Sequence, residues 1–431
     1  MFGNYSNRTS NAKVLFGFLF AINLMNYIDR MLISGLLETI GKDLHLNDMQ
    51  LGEVAIAFLI PYSFLTPVVG WVGDHSNRIS LIAIAITIWS VATGAVGRTR
   101  NFVELLATRA AVGLGEATYM TAAPTLIADL FPLSKRATVL ALFYSASPVG
   151  AAFGVLLAGV IASAYNWRWS CIIVGFPGIL LALGISRFQE PDRGQNDPGM
   201  NVGRPSLRVA FQSLVKNKPF VMLVFAFSAE IFAYNPIEFW LPTLLQRDKS
   251  ISLLRANSLF GVVVFAAGFL GPLLAGVVGD FLNKRNPTAY YWICAGSAFG
   301  LIVPVLVVAS AEQGHILFGA IFFAILFGNM STALVVTLLV TLVAPGLRGT
   351  ATAISITVAH LFGDAISQPA IGTLSEYLRV NSTASNVFSR IAIFACIPQQ
   401  HYLSLAITCV VVPAAILATG TFIAAIPVKS A

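Results

Sequence analysis

Charged side chains are scarce in this sequence. They make up 10% of 431 residues, against about 25% in a soluble domain, while 57% are apolar and the mean hydropathy is +0.79. A water-facing surface cannot be made from this composition, and disorder or a collagen-like fibre is excluded with it. No basic block is present: 26 Lys and Arg against 19 Asp and Glu give a net charge of +7, which excludes a nucleic-acid binder. The four cysteines are scattered, and Cys171, Cys294 and Cys409 lie inside apolar runs, so neither a disulfide frame nor a metal site is expected. There is no His-Glu-x-x-His, no Gly-x-Ser-x-Gly and no Walker loop, and no loop is large enough for a catalytic site outside a bilayer. Neither an enzyme nor a cofactor is expected, and nothing suggests the selectivity constriction of a channel.

Long apolar runs dominate instead. A helix needs about 20 apolar residues to cross roughly 30 Å of hydrocarbon. Twelve stretches qualify, near 14–40, 50–73, 79–97, 102–130, 136–164, 169–188, 218–245, 253–279, 289–310, 314–342, 349–378 and 401–427. The expectation is an all-α polytopic membrane protein in two six-helix bundles, 1–188 and 217–431, joined by a cytoplasmic linker at 189–216. The first stretch is too long for a cleavable signal and carries charge at its middle, so it is expected to stay in the mature chain. With both termini in the cytoplasm, 15 Lys and Arg fall inside and 9 outside, which is the favoured bias.

The halves also echo one another. Gly70-Trp-Val-Gly73-Asp74-His-Ser-Asn77-Arg78 closes the second stretch, and Gly276-Val-Val-Gly-Asp280-Phe-Leu-Asn283-Lys284 closes the eighth. Pro132 with Arg136-Ala-Thr138 precedes the fifth, and Pro345 with Arg348-Gly-Thr350 precedes the eleventh. Matched six-helix halves suit a carrier that works by alternating access.

The Gly70–Arg78 loop is similar to the signature between helices two and three of the major facilitator superfamily, departing from it at His75 and Asn77. Arg109-x-x-x-Gly113-x-Gly115-Glu116 and Glu190-Pro191-Asp192-Arg193 resemble that superfamily's fourth- and sixth-helix motifs. More narrowly, Asn26-Tyr27-Ile28-Asp29-Arg30, Gly113-Leu-Gly-Glu116-Ala117, Ala123-Pro124-Thr-Leu-Ile-Ala-Asp129-Leu-Phe131 and His360-Leu-Phe-Gly-Asp364 resemble the spinster family. The Asn-Tyr-x-Asp-Arg segment is shared with organic-anion symporters. The resemblance implies a proton-coupled carrier of amphiphilic anionic lipids, lysophospholipid or sphingosine-phosphate-like, with a proton-coupled symporter of small organic anions as the alternative. Short, compact extramembrane segments are consistent with a bacterial inner-membrane member, with a monomer as the default and substrate lipid, protons and the bilayer as the expected partners.

Ionisable groups at bilayer depth mark function by default, because each costs about 2.5–3.5 kcal/mol on insertion scales. Asp29 and Arg30 sit in mid-span, and neighbouring helical residues point about 100° apart, so each is expected to find its partner on another helix. Arg109 and Glu116 lie seven apart on one face of the fourth stretch, with Gly113 between them. The resemblance implies that these four form one cluster, and desolvation, which favours a protonated carboxyl, makes Asp29 and Glu116 the expected proton carriers. Head-group contact and counter-ion duty are both open to Arg30 and Arg109. In the second half, Glu230 and Tyr234 precede a bend at Pro236, and Glu238 is a gate contact or a rim charge. His360 and Asp364 form an i, i+4 pair that suits either a proton or a polar patch. Gly70, Gly73, Asp74, Arg78 and the counterpart Asp280 are expected, through the resemblance, to form a cytoplasmic gate.

Overall fold

In hydrocarbon a helix satisfies its own backbone donors and acceptors, whereas an open strand does not. The computed structural model describes residues 3–193, 207–312, 314–343, 347–381 and 387–426, and among them every regular element is helical. Ten helical stretches are long and apolar enough to cross a membrane. The two expected spans outside that set are the fourth and the eleventh. The fourth is one helix, Phe102–Leu130, whose sequence carries Glu104, Arg109, Glu116 and Asp129. The eleventh is broken at its middle by a π-turn, His360–Asp364. Charge lowers the hydropathy of the fourth, and the eleventh is made more polar by His360, Asp364, Gln368 and its Ser and Thr residues.

The chain divides into two compact units, Met1–His45 with Ala57–Asn201, and Leu46–Ile56 with Val202–Ala431. The first holds α1 (Gly3–Leu44), most of α2 (Asp48–His75), α3 (Arg78–Val96), α4 (Phe102–Leu130), α5 (Leu133–Tyr144), α6 (Ala146–Ala164) and α7 (Trp167–Ile185). The second holds the start of α2, then α8 (Leu207–Lys216), α9 (Lys218–Arg247), α10 (Leu253–Asn283), α11 (Ala289–Gly300) and α12 (Ile302–Ser310). It continues with α13 (His315–Met330), α14 (Thr332–Thr341), α15 (Arg348–Ala359), the π-turn, α16 (Ala365–Val380), α17 (Val387–Phe394) and α18 (Tyr402–Ala424).

Local sequence sets several of these starts. Asn77, Asn101, Asn166 and Asn217 each sit in extended backbone and accept the N–H three residues on, at 2.9, 2.9, 3.2 and 3.2 Å. Such caps contribute about 1 kcal/mol each. Tight crossings come from small residues. In the first unit α6 lies on α1 at Gly150 and Gly154, where an added Cβ would run into the backbone of Leu24 and Ile28. Close packing is thus what Gly150 provides. In the second unit the core gathers Phe220, Leu223 and Phe227 of α9 with Cys294, Leu334, Val335, Leu339 and Phe422. Large apolar side chains also point outward, among them Phe64, Phe153, Phe176, Phe225 and Phe281, as a lipid-facing surface demands.

Proline interrupts less than its sequence position suggests: α9 stays helical through Pro236 and Pro242. The breaks fall elsewhere. The expected fifth span divides at Ser145, the ninth at Leu301 and the tenth at Ser331.

Candidate functional site

Asp29 and Arg30 project from the middle of α1, and Arg109 and Glu116 from one face of α4. All four belong to the first unit, and it brings them together. Glu116 is completely buried and accepts from Arg30 Nε at 2.7 Å, an ion pair between α4 and α1. Its other oxygen, Oε1, has no hydrogen-bond partner. Asp29, 2% exposed, accepts from the Thr93 hydroxyl of α3 at 3.4 Å, and its Oδ1 is likewise unpartnered. Arg109 is 5% exposed and forms no ion pair among the described residues, although Asp29 and Glu116 are near enough to act on it electrostatically. It lies instead over the ring of Phe58, 4.9 Å from the centroid.

Two carboxylates and the Arg109 guanidinium are therefore buried beside the half-buried Arg30, with a single ion pair among the four. Burial makes each unpaired charge costly, and a carboxylate oxygen without a donor has room for a proton. Protonation of Glu116 would remove the partner of Arg30. A proton on Glu116 thus leaves Arg30 open to an anion, and its planar fork suits phosphate and carboxylate oxygens.

The second unit carries its own polar interior. Glu230, 3% exposed, accepts from the Ser331 hydroxyl where α13 gives way to α14. Its second oxygen has no partner, and no basic side chain pairs with it among the described residues. One turn on, Tyr234 donates to Glu238 Oε1 at 2.5 Å and accepts from Asn329 of α13. Glu238 is thus bonded within the interior and is no rim charge. His360 Nδ1 and Asp364 Oδ2 are 2.5 Å apart across the π-turn, and Asp364 is close enough to Glu238 for their charges to interact. Ser367 and Gln368, both buried, each leave a side-chain oxygen unpartnered.

At the end of α2 the expected gate residues have local partners. Arg78, 5% exposed, reaches Glu190 Oε1 at 2.5 Å and Asp129 Oδ2 at 2.6 Å, all within the first unit. Arg193 donates to the carbonyls of Gly73 and Ser76 at 2.9 and 2.6 Å. Asp280, in the second unit, accepts from Tyr290 at 2.8 Å. The surroundings of Gly70 and the side chain of Asp74 are not among those described, nor are 194–206 of the linker.

Several partners carried no sequence signal of their own. Phe58 and Tyr62 are aromatics in an apolar run, and Thr93 is an ordinary helix residue. Asn329 and Ser331 were findable, since Gly328-Asn-Met-Ser331 breaks an otherwise apolar stretch. Asp48, at the start of α2, accepts from Arg247 Nη1 at 2.5 Å and from the Ser375 hydroxyl at 2.6 Å, all inside the second unit. It reads from sequence only as a helix-start acid.

Comparison with known proteins fits this construction. The family model described as Major Facilitator Superfamily matches residues 19–368. Protein spinster of Drosophila melanogaster is 33% identical over 370 residues, 82% of this chain; the chain spans 60% of that longer protein. Spinster homolog 1 of Homo sapiens is 33% identical over 387 residues, covering 84% of this chain and 72% of the human protein. Among solved structures, a bacterial homolog of the human lysosomal transporter Spinster, inward-facing and unoccupied, superposes with a TM-score of 0.83 at 20% identity, covering 97% of this chain and 99% of that one. A D-xylose–proton symporter gives 0.72 at 16% identity over 94% and 96%. These are transporters and not enzymes, and the fold they share is the major facilitator fold. With its membrane-spanning helices, its family model and its spinster relatives, the chain belongs to the spinster family of the major facilitator superfamily.

Proposed function

We propose that this chain is a proton-coupled secondary active transporter that moves an amphiphilic anionic lipid, lysophospholipid or sphingosine-phosphate-like, by alternating access. The observation that carries the proposal is the pairing of half-buried Arg30 with fully buried Glu116, flanked by a second carboxylate, Asp29, and a second guanidinium, Arg109, that have no ion-pair partner among the described residues. A permanent salt bridge would need neither of those extra charges. Buried pairs are often replaceable by apolar residues without loss of stability, so helix pinning explains them poorly.

The proposed cycle uses Asp29 and Glu116 as the proton carriers. Protonation of Glu116 frees Arg30, which together with Arg109 takes the anionic head group; deprotonation restores the Arg30–Glu116 pair and expels it. Glu230, Tyr234, His360 and Asp364 line the polar interior of the C-terminal bundle and contact the substrate there. Arg78, with Gly70, Gly73, Asp74 and Asp280, belongs to the cytoplasmic gate. The lipid class rests on the family resemblance. Both termini lie in the cytoplasm of a bacterial inner membrane, as the excess of Lys and Arg in the inner loops supports.

The test is uptake of a labelled lysophospholipid into proteoliposomes across a pH series, for wild type and Glu116→Gln. The expected result is acid-stimulated uptake in wild type and uptake indifferent to pH in the variant. Wild-type transport of a small organic anion, with none of lipid, would replace the lipid reading by the small-anion symporter.

A further inference from the structure

Phe58 is buried in α2, 5% exposed, and faces two cations at once. The guanidinium carbon of Arg30 lies 5.1 Å from its ring centroid and that of Arg109 lies 4.9 Å from it. Both distances are within the range at which a guanidinium is drawn to an aromatic face. The placement is built into the helix crossing. A Cβ added at Gly113 would run into the carbonyl oxygen of Phe58, so α2 touches α4 there, backbone to backbone. Gly113 stands four residues after Arg109 and three before Glu116, and the Phe58 ring is delivered to the level of both. Arg30 has two further rings around it, Tyr62 at 4.8 Å and Tyr27 at 5.6 Å, and Tyr62 stacks on Phe58 with centroids 5.7 Å apart.

Ordinary hydrogen bonding leaves this arrangement incomplete. Arg30 Nη2 and Arg109 Nε are buried without a hydrogen-bond partner. Through one ring the two guanidinium carbons are held within about 10 Å of each other, a separation at which like charges repel in a poorly screened interior. A leucine of similar bulk would fill the volume and offer neither cation anything. The negative face of an aromatic ring attracts both.

We propose that Phe58 is a positioning residue that holds Arg30 and Arg109 together as a single two-guanidinium receptor for an oxyanion, phosphate in particular. Its hold does not depend on a carboxylate. When Glu116 is neutral, Arg30 stays at the ring in place to receive the anion, and Arg109 is already there. The ring therefore sets the affinity for the anion, while the carboxylates set the coupling to protons. This deepens the transport reading and rests on it for the identity of the anion, though the arginine geometry stands apart from transport.

The test replaces Phe58 by 3,4,5-trifluorophenylalanine, which nearly preserves shape but drains the ring face, alongside Phe58→Leu and Phe58→Tyr. Two readouts are taken on each purified full-length protein. The first is the NMR signal of arginine Nε–H groups, where Arg30 and Arg109 are assigned by Arg→Lys variants. The second is binding of a lysophosphatidic acid, as a phosphate-monoester probe. The expectation is that the ring-shifted, exchange-protected signals of Arg30 and Arg109 are kept by tyrosine and lost in both the trifluoro and leucine forms. Probe affinity should fall roughly tenfold in those two forms, the scale of one to two cation–aromatic contacts.

Unchanged guanidinium signals and affinity in the trifluoro protein overturn the proposal, and so does a defect confined to leucine, because either makes Phe58 a packing residue. A wild-type protein whose arginine signals depend on the ring but which binds no probe overturns the oxyanion receptor and the lipid reading together. If it binds the probe normally yet transports nothing, only the transport reading falls.

Discussion

The Arg30–Glu116 ion pair is where a single atom matters most. Glu116 is fully enclosed and Arg30 has no other carboxylate at ion-pair distance among the described residues. Glu116→Ala leaves the half-buried Arg30 without its counter-charge, a change that should cost less than the roughly 3–5 kcal/mol of a fully buried pair. Glu116→Gln also loses the counter-charge but keeps a hydrogen-bond acceptor for Arg30 Nε, so it should cost less than Ala by about 1 kcal/mol. Thermal unfolding in detergent is expected to rank wild type, Gln and Ala in that order; wild type and Gln melting together would show that the pair carries no charge compensation. At this scale the sequence was legible where polarity broke an apolar run. Asp29, Arg30, Arg109 and Glu116 announced themselves by charge in that setting. The rings of Tyr27, Phe58 and Tyr62 did not, because an aromatic inside an apolar helix looks the same whether it faces lipid, core or a guanidinium. The pairing was only half legible too: seven-residue spacing put Arg109 and Glu116 on one face, and nothing in that spacing said that Glu116 would bond to Arg30 instead.

Helix-level features give two further expectations. The first turn of α18 has no side-chain cap of its own; Asp248, just beyond α9, accepts from both the backbone N–H and the hydroxyl of Ser404, at 2.8 and 2.6 Å. Burial pushes the Asp248 carboxyl up, against the pull of the two Ser404 bonds. The folded state then keeps its proton to higher pH than the unfolded chain does. That contribution is fully present below the ordinary carboxylate range near 4 and is lost as pH rises through the raised value. Asp248→Asn, which cannot ionise and still offers an acceptor, should flatten this part of the stability–pH curve. Asp248→Ala should instead lower stability by about 1–2 kcal/mol at every pH by stranding the Ser404 N–H. Melting in detergent between about pH 4.5 and 7.5 separates the two; parallel curves for wild type and Asn would contradict the ionisation argument.

The helix crossing at Gly113 is equally specific. Gly113→Ala presses a methyl group into the Phe58 carbonyl and must push α2 off α4, an overpacking cost of about 1–3 kcal/mol. Lower thermal stability together with weaker oxyanion binding is expected, whereas Gly17→Ala, inside α1 where nothing lies within 4 Å, should lower neither. Apolar length gave the helices their existence and rough limits in the sequence. Their interruptions were not readable. The π-turn at His360–Asp364 and the breaks at Ser145, Leu301 and Ser331 depend on what neighbouring helices demand of the backbone, and no proline falls on them. Glycine stands at 300 and 363, yet Gly113 and Gly271 sit in helices that run on unbroken, so glycine does not single these points out.

For the molecule as a whole, orientation rests on charge bias, and the cysteines offer a way to check it. Cys171 and Cys294 are buried, and Cys396, in the loop between α17 and α18, is exposed. With both termini cytoplasmic, that loop faces outside. A membrane-impermeant maleimide added to intact cells should therefore label wild-type protein and leave Cys396→Ser unlabelled. Labelling that appears only after the membrane is permeabilised would invert the topology. Family membership was legible across the whole chain because the motifs that carry it are polar or glycine-rich islands in apolar surroundings. The substrate was not, since an acyl chain asks only for apolar surface, which every helix here provides.

In the proposed cycle, protons and an amphiphilic anion share one cluster of charge. The most direct test is proton flux into proteoliposomes on addition of a lysophospholipid or, separately, a small organic anion, for wild type and Asp29→Asn. The expected result is lysophospholipid-dependent flux in wild type that Asp29→Asn abolishes. Lipid movement without any proton flux would contradict the coupling and leave Asp29, Arg30, Arg109 and Glu116 as structural charges, whereas flux that survives Asp29→Asn unchanged would contradict the role of Asp29 as a proton carrier.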